Sequence, residues 1–261
     1  MIINFFEEFP EQGPLEKARF ITHDCVVYIA ALSIMEFKKF EEELKGINPR
    51  LSAAWWPVLP ESYWVSPFSL TWELQRLSNE LASYQGNPLR LLLDLELPLL
   101  RPYLFTRNIF SFRKNRRIIG EIFTAAVASG HTVATAEYPF SGRVMTRILR
   151  FLGVTFPLET HPHVKILMYY SSMYRWPRLQ RYLKKQIRAK AKHYGSSLQV
   201  GLGTIDTGIF GTEPILTPEG LYADLRFLAE SAVSTAIIFR LSGMDERYAE
   251  VTGKFAEVPG L

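Results

Sequence analysis

Arg90-Leu-Leu-Leu-Asp94-Leu-Glu96 is a short apolar run that ends in two carboxylates and is followed by Pro98. Such runs, bounded by turn residues and separated by helical periodicity, are typical of parallel strands covered by helices on both faces. Seven similar runs occur along the 261 residues. The eight predicted strands are Ile2–Glu8, Cys25–Leu32, Ser52–Pro57, Arg90–Glu96, Thr132–Glu137, Val164–Ser171, Leu198–Asp206 and Thr235–Leu241.

The spacing between these runs predicts the fold. Their first residues lie 23 to 42 positions apart, which leaves room for a crossover helix in each connection. The segment Leu97–Asn115 is the least regular connection. The predicted helices are Ile34–Leu44, Leu70–Tyr84, Arg116–Ala128, Ser141–Phe151, Arg178–Tyr194 and Pro218–Glu230. The alternation predicts an α/β fold, a (β/α)8 TIM barrel that forms a single domain over residues 1–261.

Composition narrows the class of protein. Hydrophobic residues make up 48% and charged residues 21% of the chain, which excludes a disordered or collagen-like protein. The net charge of +4 is small, and we expect no nucleic-acid partner. No stretch reaches the roughly 18 apolar residues of a membrane span. The start, Met1–Glu8, has two carboxylates and no basic region, so we expect a cytoplasmic location for the chain as written, unless a leader has been removed.

Carboxylates at the predicted strand ends suggest acid catalysis. Strand alternation places Asp94 and Glu96 on one side, about 7 Å apart, and that side is the barrel lumen because helices cover the exterior. Repulsion between them raises the pKa of one, as a general acid requires. An ion pair with an arginine is the structural alternative. Glu8 and Glu137 also end strands, two positions before a proline, and barrel active sites lie where strands end.

Aromatic residues follow the same strand ends, where flat rings with polar tips suit the stacking of sugars. The alternative is that some of them only pack beneath the loops. Together with Glu8, the predicted carbohydrate-binding residues at this point are Trp56, Trp64, Tyr138, Tyr170 and Trp176.

Three of these segments resemble one family. Asp94-Leu95-Glu96 resembles the end of the strand-four signature Asp-x-x-Asp-x-Asp-x-Glu of family 18 glycoside hydrolases, the chitinase and endo-β-N-acetylglucosaminidase group. Met168-Tyr-Tyr-Ser171 is similar to that family's strand-six Met-x-Tyr-Asp, and Ala236–Asp245 is similar to its strand-eight segment, with Phe239 where a tryptophan is usual. Phe239 therefore joins the predicted substrate-binding residues. Leu89, Leu92 and Ser171 depart from the family's carboxylates.

The resemblance implies substrate-assisted hydrolysis. Glu96 would protonate the glycosidic oxygen, and Asp94 would orient the neighbouring acetamido group, whose carbonyl acts as the nucleophile. Tyr170 would hydrogen-bond that group. The alternative uses two protein carboxylates, for which Glu96 and Glu137 on adjacent strands are the predicted pair.

Other functions stay open at this point. The missing signature carboxylates favour a carbohydrate-binding barrel without catalysis. A barrel enzyme acting on a phosphorylated or lipid-linked sugar is the other alternative. We expect no cofactor and no metal, because His161-Pro-His163 precedes strand six and thus lies away from the catalytic face. The basic and aromatic segment Phe105–Arg117 suggests peripheral contact with an anionic membrane.

Overall fold

Parallel strands form a closed barrel in chain order. The computed structural model describes residues 1–98, 101–140, 142–174, 176–209 and 211–256. Within these residues the strands pair in the order β1 to β8 and close into a barrel. They are β1 (Ile2–Glu7), β2 (Cys25–Ala31), β3 (Leu51–Pro57), β4 (Arg90–Asp94), β5 (Thr132–Glu137), β6 (Val164–Tyr169), β7 (Leu198–Leu202) and β8 (Thr235–Phe239). The predicted (β/α)8 barrel is confirmed.

The connection between β1 and β2 forms the short 3-10 helices Pro10–Gln12 and Pro14–Phe20, and α-helices follow the other strands. They are α1 (Ile34–Ile47), α2 (Thr71–Ser83), α3 (Tyr103–Asn108), α4 (Phe112–Ala128), α5 (Arg143–Phe151), α6 (Pro177–Tyr194), α7 (Pro218–Glu230) and α8 (Glu246–Gly253). None of the helices in the described ranges is long and apolar enough to cross a membrane. Ser141, the first residue of the predicted helix Ser141–Phe151 that corresponds to α5, lies outside the described residues.

The connection after β4 contains more helix than the sequence indicates. The predicted irregular segment Leu97–Asn115 includes all of α3 and the first turn of α4, while Leu99 and Leu100 lie outside the described residues. The α4 helix begins at Phe112, and the backbone N–H of Asn115 already donates to the carbonyl of Ser111 at 2.8 Å. Asn115 is a poor helix former on propensity, but its buried amide is bonded to the neighbouring loop, and these tertiary contacts outweigh propensity.

Two compact units divide the chain. The terminal unit comprises Met1–Ala30, Lys38–Ala54 and Ile166–Leu261, and the central unit comprises Ala31–Phe37 and Trp55–Lys165. The prediction of a single domain over the whole chain stays a prediction.

In the central unit, the side chains of β3 to β5 can be assigned to faces of the sheet. Trp55 lies on the helix-facing side, because its ring stacks on Phe37 of α1 at 6.5 Å. Trp55 pairs with Leu91, and Leu91 pairs with Val133, so both leucine and valine share the helix-facing side. The alternate side chains of these strands, which include Asp94 and its partner Ala136, face the barrel interior.

The terminal unit has its own apolar core. Strand β1 pairs with β8 from Ile2↔Thr235 to Phe6↔Phe239, and β7 pairs with β8. Helix α7 contributes fully buried leucines and packs against α8. Thr217 caps the start of α7, where its side chain accepts the N–H of Gly220, and Pro218 occupies the first helical position.

Candidate functional site

Asp94 and Glu96 occupy the end of β4 in the central unit. Asp94 is the last residue of the strand, is 5% exposed and faces the barrel interior. Glu96 follows two positions later, beyond the last ladder pair, and its side chain is half-buried. Burial raises the pKa of Glu96 to about 7. The carboxyl group can therefore hold a proton near neutral pH.

Backbone hydrogen bonds hold the segment that carries Glu96. The N–H of Leu95 donates to the carbonyl of Ala136 at 3.3 Å, so pairing with β5 continues one step past Asp94. The N–H of Leu97 donates to the hydroxyl of Tyr138 at 3.0 Å. On the other side, the N–H of Val65 donates to the carbonyl of Asp94 at 3.1 Å. Glu96 is thus fixed between two bonded neighbours.

Aromatic rings from the loop after β3 lie in the same unit. Trp56 and Trp64 both contact the ring of Tyr63, at centroid distances of 6.5 and 4.9 Å. Both tryptophans, predicted to bind carbohydrate, are buried, with 5% and 4% of their surface exposed. Tyr138 is half-buried, and its hydroxyl accepts the bond described above. Only a minor part of each tryptophan is thus available to a ligand in this structure.

Three polar side chains hold the loop that carries Trp64. The carboxylate of Glu73, which is fully buried, accepts the backbone N–H groups of Glu61 and Ser62. The amide of Asn108 donates to the carbonyl of Phe68 at 2.8 Å. The amide of Asn115 donates to the carbonyls of Pro67 and Ser69, at 2.9 and 2.7 Å respectively. None of these three residues belongs to a motif of the sequence.

Glu137 lies on the other face of the sheet from Asp94. Asp94 pairs with Ala136, so the next residue along β5 points toward the helices. There the Glu137 carboxylate accepts bonds from Lys165 at 2.6 Å, from Thr135 at 2.9 Å and from Thr155 at 2.6 Å. Burial acts to raise the pKa of Glu137, but His163 and the charge of Lys165 outweigh it and lower the pKa to about 2. The geometry favours a structural role over the predicted catalytic one.

In the terminal unit, Glu8, Tyr170 and Phe239 gather around the loop after β7. A Cβ added to Gly208 would lie 2.8 Å from Oε2 of Glu8 and 2.7 Å from Cζ of Phe239. The Tyr170 ring lies 5.6 Å from that of Phe239. The loop backbone can approach this closely only because position 208 is glycine. Three predicted substrate-binding residues are thus brought together.

The remaining predicted aromatic residue has a different environment. Trp176 precedes α6 in the terminal unit and is 76% exposed. No ring contact of Trp176 is found among the described residues. Its indole is the most accessible of the predicted stacking groups.

The terminal unit also contains an ionic cluster that the sequence analysis did not find. Glu7 is fully buried and accepts the N–H groups of Phe9 at 3.0 Å and Ser242 at 2.9 Å. The guanidinium of Arg240 lies 3.8 Å from Glu7 and 3.4 Å from Asp206. Burial raises the pKa of Glu7, against the opposing effect of these bonds and of Arg240. In the sequence, Asp206 and Arg240 fall at the C-terminal ends of the predicted strands Leu198–Asp206 and Thr235–Leu241.

Ser171, which stands where the resembled family has an aspartate, is bonded to a carboxylate. Its hydroxyl donates to Oδ2 of Asp224 in α7, and both side chains are buried. Burial raises the pKa of Asp224. No group of three or more histidine, cysteine or acidic side chains with the geometry of a metal site occurs in the described part of the chain.

Comparison with solved structures finds the same fold at low sequence identity. The glycoside hydrolase domain of PgaB (BpsB) from Bordetella bronchiseptica is 12% identical, covers 100% of both chains and has a TM-score of 0.61. A GH18 chitinase from Pseudoalteromonas aurantia is 11% identical, with 98% of this chain and 100% of that chain covered and a TM-score of 0.62. A mutant GH18 chitinase from Cycas revoluta, in complex with (GlcNAc)4, is 12% identical over 98% and 99% of the two chains, with a TM-score of 0.56.

Comparison by sequence, unlike comparison by structure, finds no related protein. No protein-family model and no curated protein sequence matches the chain. The resemblance to family 18 glycoside hydrolases that the sequence predicts is therefore confirmed as a distant likeness in fold.

Proposed function

We propose that this chain is a glycoside hydrolase that acts on an oligosaccharide or glycoconjugate, with Glu96 as the general acid. The observation that carries the proposal is the position of Glu96: half-buried just beyond the C-terminal end of β4, two residues after the buried Asp94, with its pKa raised to about 7. A general acid works best when its pKa lies near the pH at which it acts.

Hydrolysis would begin with proton transfer. Glu96 would give its proton to the glycosidic oxygen while the bond between that oxygen and the anomeric carbon breaks. Asp94, on the same face, would orient an acetamido group so that its carbonyl oxygen attacks the anomeric carbon. That attack forms a five-membered ring between the acetamido group and the sugar. Water would then attack the anomeric carbon and open this ring, and Glu96, now a carboxylate, would accept a proton from that water.

The alternative with two protein carboxylates receives less support. Glu137 would have to act as the nucleophile, but its carboxylate already accepts bonds from Lys165, Thr135 and Thr155 on the helix-facing side of β5. A nucleophile must reach the anomeric carbon from the barrel interior. We therefore favour substrate assistance, which needs no second protein carboxylate.

We propose substrate-binding residues in each of the two units, considered separately. In the terminal unit, the half-buried Tyr170 packs against Phe239, which lies with Glu8 beside Gly208, and Trp176 offers an exposed indole. In the central unit, Tyr138 contributes a hydroxyl beside Leu97. The GH18 chitinase bound to (GlcNAc)4 supports an N-acetylglucosamine-containing ligand.

A carbohydrate-binding barrel without catalysis is the second candidate. Leu92 shares the interior face with Asp94 and is 1% exposed, so an apolar side chain stands where the family signature has a carboxylate. Ser171 replaces a further aspartate and is bonded to Asp224. For the alternative of a phosphorylated or lipid-linked sugar substrate, no contact among the described residues provides specific support.

Substitution of Glu96 separates the two candidates. Wild-type protein and Glu96→Gln are compared on N-acetylglucosamine oligosaccharides by measuring released reducing ends, with binding measured by calorimetry. Loss of general acid catalysis should lower turnover about 10²- to 10⁴-fold and leave binding intact. The exposed Glu159→Gln serves as the control and should match wild type. Equal turnover by Glu96→Gln contradicts the assignment of Glu96.

Asp94→Asn tests the supporting carboxylate on the same substrates. Removing its charge should lower turnover and shift the pH dependence of Glu96, because a nearby carboxylate raises the pKa of its neighbour. Binding of oligosaccharide by the wild type without any turnover would support the second candidate instead.

A further inference from the structure

Helix α5 of the central unit leaves its apolar side chains in solvent. Val144, Ile148 and Phe151 are 70%, 46% and 58% exposed. These positions are four and three residues apart, so they share one face of the helix. None of the α5 side chains that the structure describes is fully buried. A surface helix usually turns its apolar face to the core, and α5 does not.

Cations flank this apolar face. Arg147 and Arg150 project from α5, and Arg113 and Arg116 project from the first turns of α4, all of them exposed. Among the described residues, none of these four arginines has a carboxylate within 4.0 Å, whereas the neighbouring Arg117 lies 3.6 Å from Glu121. Helix α5 contains no acidic residue. The positive charge of this region is therefore largely uncompensated.

A groove joins the two helices. The Phe151 ring of α5 packs against Phe112 of α4 at 5.5 Å. Beside this contact lies an open groove of about 900 Å³ lined by apolar and basic side chains and by one carboxylate, that of Glu121. Its lining includes Arg113, Arg116, Arg150, Phe112, Phe151 and Phe156. Just before α4, Ile109 and Phe110 are 60% and 97% exposed.

We propose that this surface, the α5 face, binds an anionic phospholipid bilayer. It consists of α5, the loop residues Ile109 and Phe110, and the arginines at the start of α4. The apolar side chains would enter the headgroup region, and the arginines would contact lipid phosphates. Helices with this combination of exposed apolar and basic side chains lie in the membrane interface.

The chemistry of the surface favours a lipid bilayer over other anionic partners. A free phosphate would account for the arginines but leave Val144, Ile148 and Phe110 without a function in binding. A nucleic acid would bind to basic side chains and to aromatic rings on which its bases stack. Val144 and Ile148 provide neither a charge nor a ring. The sequence predicted membrane contact from Phe105–Arg117 alone, and the structure supplies α5 as the second half of the surface.

Vesicle co-sedimentation tests the proposal with the complete chain. The probes are vesicles of phosphatidylcholine with and without 30 mol% phosphatidylglycerol. Each basic residue near an anionic surface contributes about 1 kcal/mol, or roughly fivefold in partitioning. Arg116→Gln combined with Arg150→Gln should therefore weaken binding to the anionic vesicles about 25-fold. The matched control is Lys185→Gln with Lys192→Gln, which removes two exposed cations from α6.

The apolar contribution is tested separately with Val144→Ser combined with Ile148→Ser. Both residues are exposed, so folding should be unaffected and vesicle binding should weaken at least fivefold. Thermal unfolding of every variant confirms that it is folded. The proposal would be overturned if the wild type bound neutral and anionic vesicles equally, if the α6 control lost as much binding as the arginine variant, or if the arginine variant bound like the wild type. Full competition by 10 mM inorganic phosphate would also overturn it, because the arginines would then belong to a phosphate site.

Discussion

The ammonium group of Lys165 lies 2.6 Å from Oε1 of Glu137, and both side chains are more than nine-tenths buried. Lys165 also donates to the carbonyl of Phe156 at 2.8 Å, and Thr155 donates to Oε2 of Glu137. Every charged atom of the pair thus has a bonded neighbour. This pair links the end of β5 to the start of β6.

Breaking this pair should destabilise the protein strongly. We expect Glu137→Gln and Lys165→Met each to lower the free energy of unfolding by about 3–5 kcal/mol, because each leaves a buried charge unpaired. Combining Lys165→Met with Glu137→Leu should recover much of the loss. Chemical denaturation at pH 7 measures these values. Lys254→Met, which breaks the exposed pair with Glu250, is the control and should cost less than about 1 kcal/mol.

The same pair predicts how stability depends on pH. The pKa of Glu137 is about 2 in the folded chain, below its ordinary value of 4.5. The folded state therefore gains stability from this group above pH 4.5 and loses it as the pH falls toward 2. In Glu137→Gln this part of the acid dependence should be absent when unfolding is followed between pH 5 and 2. Unchanged acid sensitivity would contradict the assigned pKa.

Alternation and spacing were sufficient to predict the barrel and the side of β4 on which Asp94 lies. Both follow from local rules: side chains two apart along a strand share a face, and strands about 30 residues apart with helices between them run parallel. The role of Glu137 could not be obtained in this way. It depends on which residue of β5 pairs with Asp94, and the register of neighbouring strands is set by the packing of the whole barrel.

Long-range partners were equally hidden in the sequence. Arg240 lies near Glu7 and Asp206, which are 233 and 34 positions away. Trp64 was expected at the mouth because it follows a strand end, but Glu73, in the first turn of the next helix, accepts two backbone N–H groups of its loop. Sequence pattern identifies the chemistry of such residues without identifying their partners.

Catalysis by Glu96 should depend on pH in a defined direction. The acid must be protonated to act, and its pKa is raised to about 7 by burial. Turnover of an N-acetylglucosamine oligosaccharide should therefore fall as the pH rises through about 7, with the affinity for substrate changing much less. Initial rates from pH 5 to pH 9 provide the measurement. A rate that is flat across neutrality would argue against Glu96 as the proton donor.

The most buried and the most exposed of the tryptophans predicted to bind carbohydrate should respond differently to substitution. Trp64 is 4% exposed, and Trp64→Ala should lower the free energy of unfolding by about 3–5 kcal/mol through loss of core packing. Trp176 is 76% exposed, and Trp176→Ala should leave stability within about 0.5 kcal/mol. If Trp176 stacks on a sugar ring, the same change should weaken oligosaccharide binding by about 0.5–1.5 kcal/mol beyond the area it buries. Calorimetric binding and thermal unfolding of both variants distinguish packing from recognition.

Asn115 should be the most sensitive anchor of the loop that carries Trp64. Its amide donates to the carbonyls of Pro67 and Ser69, and its carbonyl accepts the hydroxyl of Thr71. Asn115→Ala removes all three bonds and leaves two buried carbonyls without donors, each of which costs about 1–3 kcal/mol. We expect a loss of roughly 2–5 kcal/mol in the free energy of unfolding. Thr71→Val, which removes only the third bond, should cost about 1 kcal/mol.

The effect of Asn115→Ala on catalysis follows from the connection between this loop and β4. Val65, in the same loop, donates its N–H to the carbonyl of Asp94, so loosening the loop should release the strand end on which Asp94 and Glu96 depend. At a temperature where the variant remains folded, turnover should fall by more than the unfolded fraction explains, while Thr71→Val keeps wild-type turnover. Hydrogen exchange at Val65 reports the loosening directly. Unchanged protection of that amide in Asn115→Ala would show that the loop is held without Asn115.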